Sequence, residues 1–366
     1  MQAQKYHNVL FLNWKDITHP SAGGAEVLTD ALAHHMGKTC NVTYFTSSYP
    51  DAPARQVYRN YTIVRKGSVM TAIFYSWLFW HIEKQYKYID LIIDQAHGVP
   101  FFSILYFKHP KVITIIHEIS GELWRVVLRC AWLGKAVDML WLMLYRKQSF
   151  ITVSNSTKKE LAMHGIPEAN IRIVPNFTDM QAMPHVPKSS RPSLLILGRI
   201  APVKRIERAI QAFFILKQKF PGITLTIAGK SQPEYKAYED QLLTISQQDT
   251  NIIMKKNISE HEKALLLSAS HLLIVPSKKE GFGINILEAA AYGTPAIGYN
   301  VHGICDAIRD GVTGILAKQD SAACLATTIQ AILENNVLYA ALQEGARMHA
   351  NSHTLIASTK RFEEII

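Results

Sequence analysis

The chain has 366 residues, 48% hydrophobic and 19% charged, with 39 Lys and Arg against 29 Asp and Glu for a formal net charge of +10. That length supports two domains, each with enough apolar residues for a core. Four dispersed cysteines (Cys40, Cys130, Cys305 and Cys324) with no C-x-x-C pair exclude a disulfide framework or a zinc site, and no run reaches the ~18 apolar residues that span a bilayer.

In chain order, Met1 to His7 is polar and Val9–Leu12 is too short for a secretory h-region, so a cytoplasmic place is expected. The Asn-x-Ser/Thr triplets at Asn41, Asn60, Asn155, Asn176 and Asn257 are then coincidental. Val9–Leu12, Val42–Phe45, Leu91–Ile93, Val112–Ile116 and Ile151–Val153 are short β-branched runs of the kind buried in parallel sheets. Between the first two, Ala25, Leu28, Ala31, Leu32 and His35 keep helical spacing. Pro184-His-Val-Pro-Lys-Ser-Ser-Arg-Pro192 has the composition of a linker. A second series follows: Leu194–Leu197, Leu225–Ala228, Ile252–Met254, Leu272–Val275, Ala296–Gly298 and Gly314–Leu316. Strands alternating with helices twice over predict an α/β protein of two doubly wound, Rossmann-like domains facing a cleft, residues 1–185 and 186–352, with ligands at the carboxyl ends of the strands. The last segment, 353–366, is helical in pattern.

The densest chemistry lies in Pro276-Ser-Lys-Lys-Glu280-Gly-Phe-Gly283-Ile-Asn-Ile-Leu-Glu288. Glycines 281 and 283 leave backbone bare at a helix start, where free amides and the helix dipole favour an anion. A carboxylate there would repel phosphate; its useful partners are the hydroxyls of a ribose or a sugar. Phosphate and polyol together suggest a nucleotide sugar. Moving a sugar off a nucleoside diphosphate builds negative charge on the departing phosphate and positive charge at the anomeric carbon. The sequence contains no Asp-x-Asp triplet to hold a divalent metal for that charge. Gly198-Arg199-Ile-Ala-Pro-Val-Lys204 offers fixed cations instead, after a strand and at the opening of a helix near Arg205. The plain alternatives are a solvated first helical turn for the cations and surface carboxylates for the glutamates. Glu288 stands among Ile286, Leu287, Ala289 and Ala290, where an unpaired carboxylate is costly.

Further motifs are less specific. Pro20-Ser-Ala-Gly23-Gly24-Ala-Glu26 has the form of a phosphate loop but lacks both G-x-G-x-x-G and a Walker lysine, and Glu26 fits a helix's first turn. His117 follows a strand; a lone histidine there is more often a satisfied structural residue. Ser154-Asn-Ser156 suits the cap of a helix over Thr157–His164, and Val174-Pro-Asn176 lies near the linker. His302 and Cys305 share a turn with no third orienting group, which favours architecture over a nucleophile. Lys and Arg are dispersed without aromatic-interleaved basic motifs, which argues against nucleic acid; an ordinary high-pI protein stands beside an anionic ligand or membrane as the reason for the charge.

The Glu280–Glu288 pair resembles the paired-glutamate motif of retaining glycosyltransferases of GT-B fold, the large family 4, or glycosyltransferase group 1. Glu288-Ala-Ala-Ala-Tyr-Gly-Thr-Pro295, Gly311-Val-Thr-Gly314 and Gly23-Gly24-Ala-Glu26 fit the same resemblance, which runs to about Glu364. It implies that the first domain handles the acceptor and the second the donor, with the terminal helix crossing back to the first. It implies that Arg199 and Lys204 clamp the diphosphate, beside Gly198, and that Glu288 binds the ribose hydroxyls. Glu280 lies by the donor sugar, the backbone of Gly281, Phe282, Gly283 and Ile284 contacts sugar or phosphate, Gly23 and Gly24 let substrate approach, and His117 contacts the donor sugar. Gly283-Ile-Asn285 departs from a common proline-containing version, as Glu118 departs from an aspartate. No cofactor or metal is implied, only a UDP- or GDP-linked hexose and a saccharide or lipid-linked acceptor. A sugar-nucleotide epimerase, a phosphorylase (which needs a far longer chain) and a non-catalytic nucleotide-sugar binder remain as alternatives.

Val69–Trp80 and Leu123–Lys147 hold five of the six tryptophans. The second mixes Arg, Lys and Trp as interfacial helices do, which suggests a peripheral site on an anionic membrane through Trp124, Arg125, Arg129, Trp132 and Lys135. Burial of these aromatics against the sheet is the alternative.

Overall fold

The β-branched runs lie side by side as parallel strands in a computed structural model that describes residues 5–82, 88–107, 110–119, 124, 131–178 and 186–366. Cys130, Arg125, Arg129 and the start of the 184–192 linker fall outside the described residues. The chain divides into two units, one made of Met1–Pro175 with Ser358–Ile366 and the other of Asn176–Ala357.

The first unit has strands β1 (Asn8–Leu12), β2 (Asn41–Thr46), β3 (Arg55–Tyr58), β4 (Tyr61–Arg65), β5 (Leu91–Ala96), β6 (Lys111–Ile116), β7 (Ser149–Thr152) and β8 (Ile171–Ile173). They form one sheet in the order β3-β4-β2-β1-β5-β6-β7-β8, parallel except for the β3–β4 pair. Strand β5 is buried at every position, as a strand covered on both faces must be. The β3–β4 hairpin and β8 were not legible as strands. Arg65 of β4 is fully buried, its guanidinium holding Asp16 at 2.8 Å. Helix Gly24–Met36 follows β1, and helix Asn155–Met163 is capped by Ser154, whose Oγ accepts from the Thr157 amide at 3.1 Å.

The second unit contains β9 (Ser193–Arg199), β10 (Thr224–Lys230), β11 (Ile252–Lys256), β12 (Leu272–Val275), β13 (Ala296–Tyr299) and β14 (Gly314–Ala317). Their order is β11-β10-β9-β12-β13-β14, all parallel. Strand order reverses direction between β9 and β12, the kind of switch point at whose carboxyl edge doubly wound sheets bind ligands. The final helix, Leu355–Ile365, gives its last residues to the first unit. Phe362 is fully buried, Ser358 Oγ donates to the Pro175 carbonyl at 2.7 Å, and Tyr6 OH donates to the Ile366 carbonyl at 3.0 Å.

Candidate functional site

Strand β9 ends in Gly198, whose φ of +147° lies outside the range of ordinary side chains. The neighbouring strand needs a glycine as well: a Cβ on Gly229 would sit 1.5 Å from the Gly198 carbonyl oxygen. Past Arg199 the chain makes a single 3-10 turn, Pro202–Lys204, and enters helix Ile206–Lys217 through Arg205 in left-handed backbone. That turn is tied to the loop after β12. The Lys278 amide donates to the Val203 carbonyl at 2.9 Å, and Arg205 donates to the carbonyls of Pro276 at 2.9 Å and Ser277 at 3.3 Å. Arg205 also pairs with Asp320 and lies over the Tyr299 ring.

Those ties bring together two motifs that are far apart in sequence. Lys204 Nζ meets Glu280 Oε1 at 2.5 Å, and Ser277 Oγ donates to the same oxygen at 2.7 Å. The Lys204 and Glu280 side chains are only 16% and 13% exposed. Burial pushes the Glu280 carboxyl up, but Lys204, Ser277 and the Arg199 charge together hold it below its ordinary 4.5, so it is ionised at neutral pH. The Glu280 amide donates to the His302 carbonyl at 3.0 Å, and Gly303, at φ +80°, passes so near that a Cβ would be 2.0 Å from the Glu280 carbonyl oxygen. The His302–Cys305 turn therefore supports the glutamate loop through its backbone.

Gly283 caps helix Ile284–Ala291 at φ +92° with no side-chain hydrogen bond to the first amides. Asn285 Nδ2 donates to the Leu197 carbonyl at 2.8 Å and pins this helix start to the end of β9. Leu197, Gly198, Arg199, Lys204, Ser277 and Asn285 line a small recess there. Arg199, Lys204, Glu280 and the Gly281–Ile284 backbone thus converge at the carboxyl ends of β9 and β12.

Glu288 has a partner that sequence inspection did not find. Its Oε1 lies 2.9 Å from Lys263 Nζ, both side chains being 17% exposed, and Lys263 also pairs with Glu260. Burial works against the Lys263 ammonium, yet Glu288 and Glu260 hold its pKa above the ordinary range. The costly unpaired carboxylate expected from the apolar neighbours is avoided by this ion pair. The only signal in the sequence was a lysine one turn into a helix with a Ser259/Glu262 capping box.

Gly23, Gly24 and His117 belong to the other unit. Gly23 is extended, and its amide donates to Glu26 Oε2 at 2.7 Å, so Glu26 closes the first turn. His117 stands after β6. Its Nε2 is sealed from solvent without a hydrogen-bond partner among the described residues, and burial lowers its pKa to about 4. Thr157 Oγ1 donates to its carbonyl at 3.0 Å, linking it to the Ser154 cap.

Residues 22–182 match the model of Glycosyltransferase Family 4, and residues 181–349 that of Glycosyl transferases group 1. Glycogen synthase from Mycobacterium tuberculosis (strain H37Rv) is 30% identical over 265 residues, which cover 68% of this chain and 60% of that protein. A D-inositol 3-phosphate glycosyltransferase from Salinispora arenicola is 31% identical over 162 residues, 42% of this chain and 36% of that one. The chain thus matches less than two thirds of the length of either relative. Among solved structures, sucrose-phosphate synthase from Thermosynechococcus elongatus superposes with a TM-score of 0.78 at 18% identity, covering 98% of both chains. Anabaena Alr3699/HepE in complex with UDP and glucose gives 0.73 at 16% identity, covering 97% of this chain and 98% of that one. These likenesses establish the GT-B fold. Two adjoining family matches that together run from residue 22 to residue 349 make the chain a member of the group 1, family 4 glycosyltransferases.

Proposed function

We propose that the chain is a metal-independent, retaining hexosyltransferase. It takes the sugar from a UDP- or GDP-linked donor and places it on a saccharide or lipid-linked acceptor in cell-surface glycan or glycolipid synthesis. The observation that carries this reading is the Arg199–Lys204–Glu280 group beside a glycine-capped helix start. In the reaction the bond from the anomeric carbon to the diphosphate oxygen breaks, and its electron pair leaves with the diphosphate. Arg199 and Lys204 face that developing charge, which makes them stronger partners of the transition state than of the ground state. Glu280, kept ionised by its surroundings, faces the positive charge left on the sugar. The acceptor hydroxyl then bonds to the anomeric carbon and gives up its proton to the departing diphosphate oxygen. Glu288, oriented by Lys263, is assigned to the ribose hydroxyls, and His117, neutral above about pH 4, to the donor sugar as a hydrogen-bonding group.

The bound UDP and glucose of the Anabaena protein and the names of the curated relatives support a nucleotide-sugar donor. The test is release of free nucleoside diphosphate from UDP- and GDP-hexoses, with and without candidate acceptors, in buffer containing EDTA. Release that requires acceptor and survives EDTA is expected. Activity that vanishes with EDTA and returns with manganese refutes metal independence. Conversion of the nucleotide sugar without acceptor refutes transfer.

A further inference from the structure

Unit one carries an apolar surface where a water-facing helix should be polar. Helix Ala131–Tyr145 buries Trp141, Leu142 and Tyr145 on its inner face, as an amphipathic helix does. Its outer face is apolar too: Trp132 is 71% exposed, Leu140 63% and Met143 62%. By contrast, helix Lys236–Ser246 of the other unit turns Lys236, Asp240, Gln241 and Thr244 outward. Helix Ala72–Ile82 behaves like the former, burying Ala72 and Phe79 while exposing Phe74 and Trp77.

These two helices share one side of one sheet. The connections β4 to β5, β5 to β6 and β6 to β7 all advance in the same direction along the strand order. Right-handed crossovers therefore put all three on the same face, whereas β1 to β2 runs the other way and puts helix Gly24–Met36 opposite. Direct contacts join the three. Ser76 Oγ lies 2.9 Å from Tyr106 OH, and the Phe102 ring meets the Tyr145 ring at 6.4 Å. Between the helices stands exposed Leu105. The three connections are thus neighbours on that face.

Among the described residues of the two helices the charge of this face is one-sided. Lys135, Arg146 and Lys147 are exposed along the second helix and its end. Residues 66–82 contain no Asp or Glu, and the one carboxylate in 131–148, Asp138, is buried and accepts from Trp141 Nε1. Another copy of this face would set cation against cation. An anionic lipid surface instead receives the apolar side chains at its boundary and the Lys and Arg at its phosphates. No described helix is long and apolar enough to cross a membrane, so the contact is from one side. We propose that this face of unit one, centred on Phe74, Trp77, Leu105, Trp132, Leu140 and Met143, docks the protein peripherally on an anionic membrane. Trp124, expected outward from the sequence, is not part of it; it is buried, packed over Gly134. The inference rests on unit one alone and does not depend on the donor chemistry of the other.

The test is flotation of the full chain with phosphatidylcholine vesicles, with and without roughly one-third phosphatidylglycerol, across a salt series and without nucleotide sugar. Binding that requires phosphatidylglycerol and weakens with salt is expected. Leu140→Glu with Met143→Glu should lower vesicle affinity about tenfold or more while leaving the thermal transition in place. Should that variant not fold, the native chain still decides. Brominated lipid should quench its tryptophan fluorescence, and Trp132→Phe should diminish that quenching. No flotation on anionic vesicles at low salt overturns the proposal, as does binding unaffected by these substitutions. Sedimentation showing a native dimer that the double variant abolishes, without flotation, assigns the face to a second copy and overturns it equally.

Discussion

Replacing Lys204 by methionine keeps most of the side chain's shape and removes the charge nearest Glu280. Glu280 then stays only 13% exposed, with the Ser277 hydroxyl and the Arg199 charge as its remaining partners. Breaking a buried ion pair from one side costs ~3–5 kcal/mol, and those remaining partners place this case near the lower end, about 3 kcal/mol at neutral pH. The pH dependence identifies the cause. In the native chain the Glu280 pKa lies below 4.5, so its contribution to stability is present above that value and lost as pH falls through the lowered one. In Lys204→Met the burial effect is opposed only by Ser277 and Arg199, and the carboxyl moves upward. The variant therefore recovers relative stability as the pH falls and Glu280 takes up a proton. Urea unfolding of both proteins from neutral pH to about 4.5, the ordinary value of the carboxyl, should show the gap narrowing. In a Glu280→Gln background the Lys204→Met penalty should shrink to a small fraction. A gap constant with pH, or an undiminished penalty in the Gln background, refutes the pairing argument.

Arg199→Ala should lower kcat/KM a hundredfold or more, about 3 kcal/mol of transition-state stabilisation, with EDTA changing neither protein's rate. Glu288→Gln should mainly weaken nucleoside diphosphate binding by calorimetry, because hydroxyl contacts exist in ground and transition states alike. Glu280→Gln should lower turnover and leave that affinity nearly intact; equal affinity losses in both contradict the division of roles. The His117 ring, with a pKa near 4, should stay neutral by NMR through the mildly acidic range, so an acid limb in the rate profile near the ordinary histidine value that disappears in His117→Gln would contradict its proposed role.

The core strands of both units were legible because buried parallel strands are continuous β-branched runs. The hairpin Arg55–Tyr58/Tyr61–Arg65 hid because its polar residues interrupt the runs, and Arg65 is buried only because Asp16, distant in sequence, neutralises it. Three-residue β8 is too short to carry a period. At the site, glycines and glutamates were visible since a bare helix start needs them locally. Lys263, Ser277 and the bracing Arg205 were not, because each acts across elements: Lys263 reaches Glu288, and Arg205 reaches the 276–277 carbonyls. The same limit misplaced Trp124, whose neighbour Gly134 leaves room for the indole to turn inward.

The Lys204–Glu280 contact also bears on the order of events proposed for transfer. One of the two cations proposed for the diphosphate, Lys204, is engaged by a carboxylate that is tied at its backbone by the His302 carbonyl and at its side chain by Ser277. On the proposed reading, a diphosphate beside Arg199 would compete with Glu280 for Lys204. Because the Glu280 loop is braced by Arg205 and by the close passage of Gly303, the flexible lysine stem is the part free to turn. On the proposed reading, Lys204 swings toward the phosphate as charge accumulates there, and Glu280 is left ionised and less neutralised as the sugar becomes positive. One motion then strengthens both electrostatic contacts in the transition state relative to the resting site, which is the differential binding that catalysis requires.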